Sequence, residues 1–230
     1  MLLSMRATQT EHFDTPDRSV AEIRAGFELL GRINRLVRFD WPFQRLIPHW
    51  LGEANCQRLT LLDVGAGDGS LARSLEAWSA ARGWQWEITG LDSNPWAVAL
   101  HTNRRGVVGS ALTLPFADAS FDIVIATHMT HHLRNEAAVV QHFREAWRVS
   151  RRGVLIYDAH RNVLFYSALW FLLTAWRFPH EMKADGLLSI RRGWRVLEWR
   201  RLAMEAGMDD ANVWLDWGTR IILQATRRAP

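Results

Sequence analysis

From residue 58 onward, apolar and polar positions fall into short blocks, each with the two-residue period of a strand or the 3.6-residue period of a helix. Strands are expected at 58–63, 86–91, 107–108, 121–126 and 153–157. Helices are expected at 69–81, 94–102, 137–149, 164–176 and 195–206, the last stopped by Gly207. Two closing strands, 211–216 and 220–225, are joined by Trp217-Gly218-Thr219. This alternation predicts an α/β fold, a parallel sheet with helices on both faces.

Ahead of that region the pattern changes. Residues 1 to about 17 carry no period and are expected to be poorly ordered. Ser19-Val20-Ala21-Glu22 is a capping box, in which serine and glutamate satisfy each other's helix-end donors. The helix it opens has Ile23, Phe27, Leu30, Ile33, Leu36 and Val37 on one face and runs to about Phe39. A second amphipathic segment, 41–51, ends at Gly52. The expected organisation is a tail and helical cap at 1–57 followed by one domain at 58–230. Within that domain, 159–193 is expected as a lid over the site. Its stretch 162–178 is almost free of charge, yet shorter than the roughly 20 residues that span a bilayer. It reads as a core or lid helix, with a wall for an apolar ligand or an edge touching a membrane as the other options.

The chemistry concentrates at Asp63-Val64-Gly65-Ala66-Gly67-Asp68-Gly69. A strand ends there, three glycines turn the chain, and a helix begins, so backbone can lie directly against a nucleoside ligand. The dinucleotide spacing G-x-G-x-x-G would need glycine at position 70, where the chain has Ser70. Asp92 closes the second strand, where a carboxylate can accept from both ribose hydroxyls or cap the next helix.

Composition adds exclusions. The charged fraction of 23% and apolar fraction of 48% are ordinary for a globular domain. The net charge of +4 is nearly all arginine, with Lys183 the only lysine. The basic residues come in scattered pairs, which argues against nucleic acid as a partner. Cys56 is alone, so neither a disulfide framework nor a cysteine-based zinc site is expected. Thirteen tryptophans imply large aromatic surfaces in the core or around a substrate. The first residues are too short an apolar run for a secretory signal, and a cytoplasmic location is expected.

The pattern D-x-G-x-G-x-G resembles motif I of class I S-adenosylmethionine-dependent methyltransferases. Residues 109–124 resemble their G-D-A-x-x-L-P-F-x-D-x-S-F-D-x-V segment, with Ser110 in place of the aspartate. Four such segments lie in order over residues 58–134. More narrowly, Gly31-Arg32-Ile33-Asn34-Arg35, His131-His132-Leu133 and Asp185-Gly186-Leu187-Leu188-Ser189-Ile190-Arg191-Arg192 resemble bacterial methyltransferases found beside type III polyketide synthases, implying secondary metabolism. The resemblance implies a Rossmann-like sheet of seven strands, mostly parallel with an antiparallel last strand. It implies S-adenosylmethionine as cofactor, contacted by Asp63, Gly65, Ala66, Gly67, Asp92, Ser93, Ser110, Ala111 and Thr127.

The acceptor side would be built at the ends of adjacent strands. His131, His132 and Asp158 are the catalytic candidates, with one imidazole able to take a phenolic proton. His128, His160 and Arg161 are candidate substrate contacts. The sequence after the fourth strand, Ala126-Thr127-His128-Met129, lacks the Asn/Asp-Pro-Pro-aromatic motif of amino-methylating nucleic-acid enzymes. No carboxylate cluster for a catalytic metal is apparent. The expected activity is O- or C-methylation of a small aromatic or apolar acceptor such as a phenol or quinol. Stable membrane insertion is not expected, peripheral contact stays open, and the oligomeric state is not readable. A non-catalytic cofactor-binding protein of the same fold is the alternative, and a nicotinamide oxidoreductase is disfavoured by the glycine spacing.

Overall fold

The computed structural model describes residues 3–12, 22, 24–28, 31, 34, 38–101 and 105–227. Helix α1 (Trp41–Leu51) leads into strand β1 (Arg58–Val64), helix α2 (Ser70–Ala80) and strand β2 (Gln85–Asp92). Next come the short helix α3 (Pro95–Val98), β3 (Gly106–Val108), β4 (Phe121–Thr127), a 3₁₀ turn (Thr130–His132) and α4 (Glu136–Val149). The chain closes with β5 (Ser150–Ala159), α5 (Val163–Ala175), α6 (His180–Arg192), α7 (Val196–Glu205), β6 (Asn212–Asp216) and β7 (Arg220–Thr226).

The seven strands form one sheet in the order β3-β2-β1-β4-β5-β7-β6, parallel except for β7, which runs antiparallel to both neighbours. The central strands are buried on both sides, as two-faced burial demands of parallel strands. Leu62, Val64, Val124, Ala126, Val154 and Ile156 face a core shared with Phe143 of α4 and Trp199 of α7. The alternate residues Leu59, Leu61, Ile123, Ile125, Leu155 and Tyr157 face a second core with Phe43 and Ile47 of α1 and Leu71 and Leu75 of α2. The strand order reverses between β1 and β4, which opens a crevice at their carboxyl ends.

Three sequence expectations change. Residues 3–12 are packed rather than loose, with Leu3, Ala7 and Glu11 buried. The helix expected at 94–102 is reduced to Pro95–Val98, capped by the Asn94 side chain on the N–H groups of Trp96 and Ala97. Helix α6 was not anticipated, because its buried face mixes Met182, Leu187 and Ile190 with the charged Asp185 and Arg192, which hides the apolar period. The residues described at 22, 24–28, 31 and 34 are helical, as the capping box predicts. Ser19, Val20, Ala21, Ile23, Leu30, Ile33, Leu36 and Val37 lie outside the described residues.

Candidate functional site

The glycine turn is held from two sides. Gly65, Gly67 and Gly69 have φ of 76°, 54° and 72°, the left-handed region that a Cβ disfavours. The N–H groups of Gly65 and Ala66 donate to the Leu91 carbonyl at 2.8 and 3.0 Å, tying the turn to the end of β2. Gly67 N–H donates to Asp92 Oδ2 at 2.8 Å, and Asn94 N–H donates to Asp92 Oδ1 at 2.8 Å. Each Asp92 oxygen keeps a further lone pair for a ribose hydroxyl. A Cβ on Gly65 would run into the Met129 side chain. Gly65→Ala is therefore expected to cost about 2 kcal/mol or more in strain and displacement. A thermal midpoint and an S-adenosylhomocysteine affinity equal to those of the parent would refute that packing.

Asp63 sits at the base of this turn, 1% exposed, and among the described residues neither carboxylate oxygen has a hydrogen-bond partner. Burial, then the nearby Asp92 and Asp68 charges, push its pKa up to about 8. A buried carboxyl without a donor fits the ammonium of a methionine moiety, so the residues present suit S-adenosylmethionine. Ser93 and Ser110 are exposed beyond the ends of β2 and β3, and Ala111 is half-buried. Ser110 Oγ accepts from Leu112 N–H at 3.1 Å, so this side chain is occupied within its own turn. Thr127 closes β4 on the opposite rim of the crevice.

Asp158 is the node of a polar cluster at the ends of β4 and β5. It is fully buried at the end of β5, and its Oδ1 accepts from His131 Nδ1 at 2.6 Å and from Ala159 N–H at 2.7 Å. Oδ2 accepts from His131 N–H at 2.8 Å. Burial alone would raise this carboxyl, but the adjacent His131 and its hydrogen bonds hold it down at about 2. His128 Nδ1 stands 3.8 Å from the same Oδ1.

The two imidazoles on this carboxylate differ in access. His131 is 2% exposed, whereas His128 presents 43% of its side chain to the cleft. His128 has φ of 50°, and its ring meets Tyr157 edge-on at 5.0 Å. Desolvation by the surrounding protein lowers its pKa from 6.5 to about 4, with Asp158 pulling the other way. Desolvation outweighs the pull of Asp158, so the imidazole is neutral at physiological pH.

His132 is half-buried, with its ring 4.2 Å from that of His131. His160 Nδ1 contacts Asn162 Nδ2 at 2.9 Å, and burial, then Arg195 and Arg161, lower its pKa. Arg161 is buried and committed elsewhere, to Glu198 Oε1 at 2.5 Å and the Gly193 carbonyl at 3.1 Å. The structure thus brings His128, His131 and Asp158 together and leaves Arg161 in an ion pair.

Sequence reasoning missed Glu11. Residues 3–12 form a strap across the end of α6 and the 3₁₀ turn. Arg6 donates to the carbonyls of His131, Leu133, Arg134 and Arg192 at 2.6–3.1 Å and stacks on Trp194 at 4.2 Å. Ala7 N–H donates to the Arg191 carbonyl at 3.0 Å, and His12 N–H to Asp185 Oδ1 at 2.7 Å. Glu11 is thereby buried with Oε1 3.5 Å from His131 Nε2 and Oε2 4.0 Å from His132 Nε2.

These three side chains have metal-ligand spacing, with ligand atoms within 4.8 Å of one another. Ser189 Oγ nevertheless donates to Glu11 Oε1 at 2.9 Å, and Arg192 Nη1 lies 3.5 Å from it. Glu11 is thus already engaged by Ser189 and Arg192, and a divalent cation would bury two further positive charges beside the Arg192 guanidinium. No periodicity could have marked the strap, because its polar and backbone partners lie 120 to 192 residues away.

A family model described as a methyltransferase domain matches residues 62–157. The demethylmenaquinone methyltransferase of Roseiflexus sp. is 38% identical over 164 residues, covering 67% of this chain and 65% of that protein. The ribosomal protein L11 methyltransferase of Cupriavidus taiwanensis is 32% identical over 141 residues, 59% of this chain and 46% of that protein. The chain thus spans about half to two thirds of the length of these curated relatives. Magnesium protoporphyrin IX methyltransferase from Synechocystis, solved with bound S-adenosylhomocysteine, superposes with a TM-score of 0.57 at 14% identity, over 84% of each chain. The strand order, the glycine turn and the matched region agree: residues 62–157 are similar to a methyltransferase domain, the sheet has the class I methyltransferase fold, and the turn suits S-adenosylmethionine as cofactor.

Proposed function

We propose that this chain transfers a methyl group to an oxygen or carbon of a small aromatic or apolar acceptor, of the phenol or quinol class, with His128 receiving the acceptor's proton. The observation that carries the reading is the shared Asp158 carboxylate. It lies at the crevice edge with one buried imidazole fixed to it at 2.6 Å and one accessible imidazole 3.8 Å away.

Bound S-adenosylmethionine supplies an electrophilic methyl on a sulfonium, so the protein's task is alignment and proton removal. Alignment of acceptor and methyl in a near-attack arrangement supplies on the order of 7–11 kcal/mol. Asp63 and Asp92 would hold the ammonium and ribose ends, and the glycine turn the backbone between them. His128, neutral and open to the cleft, takes the acceptor O–H proton as the new C–O bond forms and the C–S bond breaks. Asp158 then faces the imidazolium that results, and His131 fixes Asp158 in place. His132 and Glu11 stand behind that pair. The curated relative that acts on demethylmenaquinone supports a quinol-like acceptor, and the secondary-metabolic setting implied by the sequence supports a phenolic one.

The experiment is turnover of S-adenosylmethionine to S-adenosylhomocysteine with a panel of phenols and quinols. His128→Ala should lower turnover by about 10²–10⁴-fold while cofactor affinity stays within twofold. The parent's acid limb should fall well below the ordinary histidine range, because His128 titrates low. Cofactor binding without methylation of any acceptor would favour a non-catalytic binding protein. Full activity of His128→Ala would return the base to His131 or His132.

A further inference from the structure

Helix α5 is uncharged and mostly apolar, yet it is not buried. Val163, Leu164, Trp170, Phe171, Leu172 and the following Trp176 are 40–84% exposed. No charged residue occurs between 163 and 175. At 100° per residue, Val163, Leu164, Ala168, Trp170, Phe171, Leu172 and Ala175 spread over roughly 200° of the helix circumference, interrupted by the exposed hydroxyls of Ser167 and Thr174. Phe165, Tyr166, Leu169 and Leu173 make the less exposed side, and Leu169 and Leu173 meet α6 at Gly186. An apolar surface of this kind marks an interaction site.

Three features select the occupant. The exposed half-cylinder is about 20 Å long and 11 Å across, or about 350 Å², less than half of the roughly 800 Å² per partner that a stable dimer buries. A face this wide suits a fluid medium that surrounds the helix better than one flat partner surface. Its border is basic: Arg177 and His180 are exposed, and Lys183 Nζ sits 4.9 Å over the Trp170 ring, bonded to Thr174 Oγ1 at 2.5 Å. Glu181, the acidic residue on that border, is taken by His12 at 3.2 Å. Tryptophan rings flanked by Lys and Arg are what an anionic headgroup layer receives. No helix among the described residues is long and apolar enough to cross a membrane, so α5 would lie in the surface plane.

We propose that α5 docks the protein on an anionic lipid surface, from which the acceptor enters the site. The route rests on the methyl-transfer reading above; the docking does not. Asn162 caps α5 by accepting from Phe165 N–H at 2.7 Å and also contacts His160 Nδ1. At the other end of the hairpin, Arg192 of α6 donates to the His131 and His132 carbonyls at 3.1 and 3.0 Å. The apolar face therefore adjoins the acceptor side of the cleft, and a lipid-soluble phenol or quinol could pass to it without crossing water.

The test is flotation of the full chain with phosphatidylcholine vesicles, with and without about 30% phosphatidylglycerol. The protein should float with the anionic vesicles and at least about tenfold less with the neutral ones, and salt should weaken the association. Leu164→Glu/Phe171→Glu should reduce anionic partitioning by at least about tenfold. Its thermal midpoint and S-adenosylhomocysteine affinity should be unchanged. Trp176→Glu, one position beyond the helix, serves as an independent variant and should also reduce partitioning. Absence of flotation at millimolar lipid overturns the proposal, as does equal partitioning on both vesicles. A concentration-dependent dimer abolished by the same substitutions assigns the face to a second copy instead. Loss of cofactor binding by the parent chain would sink the methyl-transfer reading without touching the vesicle result.

Discussion

Asp63→Asn is expected to stabilise the ligand-free protein at neutral pH and, at the same time, to weaken its grip on S-adenosylhomocysteine. Asp63 is buried without a donor among the described residues, and its pKa stands at about 8 against an ordinary 3.8. A carboxyl raised in the folded state contributes fully below its unfolded pKa, and that contribution drains away as pH rises towards the folded value. At about 1.4 kcal/mol per pH unit, the deficit at pH 7 is on the order of 4 kcal/mol, which the amide removes. An ammonium placed on Asp63 reverses the preference and drives its proton off. Cofactor binding at about pH 6 should therefore release close to one proton, seen as a dependence of the calorimetric heat on the buffer's ionisation enthalpy. That dependence should vanish in Asp63→Asn. If variant and parent showed the same buffer dependence, Asp63 would not be the group that meets the ligand.

The second large effect is expected at Asp158. Asp158→Asn keeps the shape but puts an amide where His131 donates from both its backbone N–H and Nδ1. Breaking one partner of a buried pair costs about 3–5 kcal/mol, which urea unfolding would register. The parent carboxyl is depressed to about 2, so its contribution is present above 3.8 and is lost as pH falls through about 2. On the proposed mechanism turnover should fall by about 10²–10³-fold, because an imidazolium on His128 would lose its counter-charge. Affinity for S-adenosylhomocysteine should hold, since Asp63, Asp92 and the glycine turn, the groups proposed to hold it, share no hydrogen bond with Asp158 among the described residues. Turnover within twofold of the parent in the folded variant would remove Asp158 from the chemistry.

The contrast between Asp92 and Glu11 shows what the sequence could express. Asp92 was legible because a strand end and a glycine turn are local patterns, and their spacing alone puts the carboxylate opposite Gly67. The same locality explains why the strands from β1 to β7 fall within a few residues of the expected positions. The end of β4 was legible as a place, but which of its imidazoles is exposed was not. His131 and His132 were favoured over His128 from proximity to a turn. The left-handed His128 backbone, which leaves that ring in the cleft while His131 turns inward, has no sequence signature in a non-glycine residue. Helix α6 and the strap were missed for a shared reason: their buried sides carry Asp185, Arg192, Arg6 and Glu11, charges that are paired only through tertiary contacts.

The strap also orders events during synthesis. Residues 3–12 leave the ribosome long before the groups they bind, since Arg6 needs carbonyls at 131–134 and Arg195 donates to the Leu3 carbonyl at 2.8 Å. This arm must wait, unfolded, until the turn, α6 and the start of α7 are in place, so it docks as a late step. A protease acting on nascent or partly refolded chains should clip there first, and a bulky fusion ahead of residue 3 should slow the last phase of folding more than it disturbs the sheet.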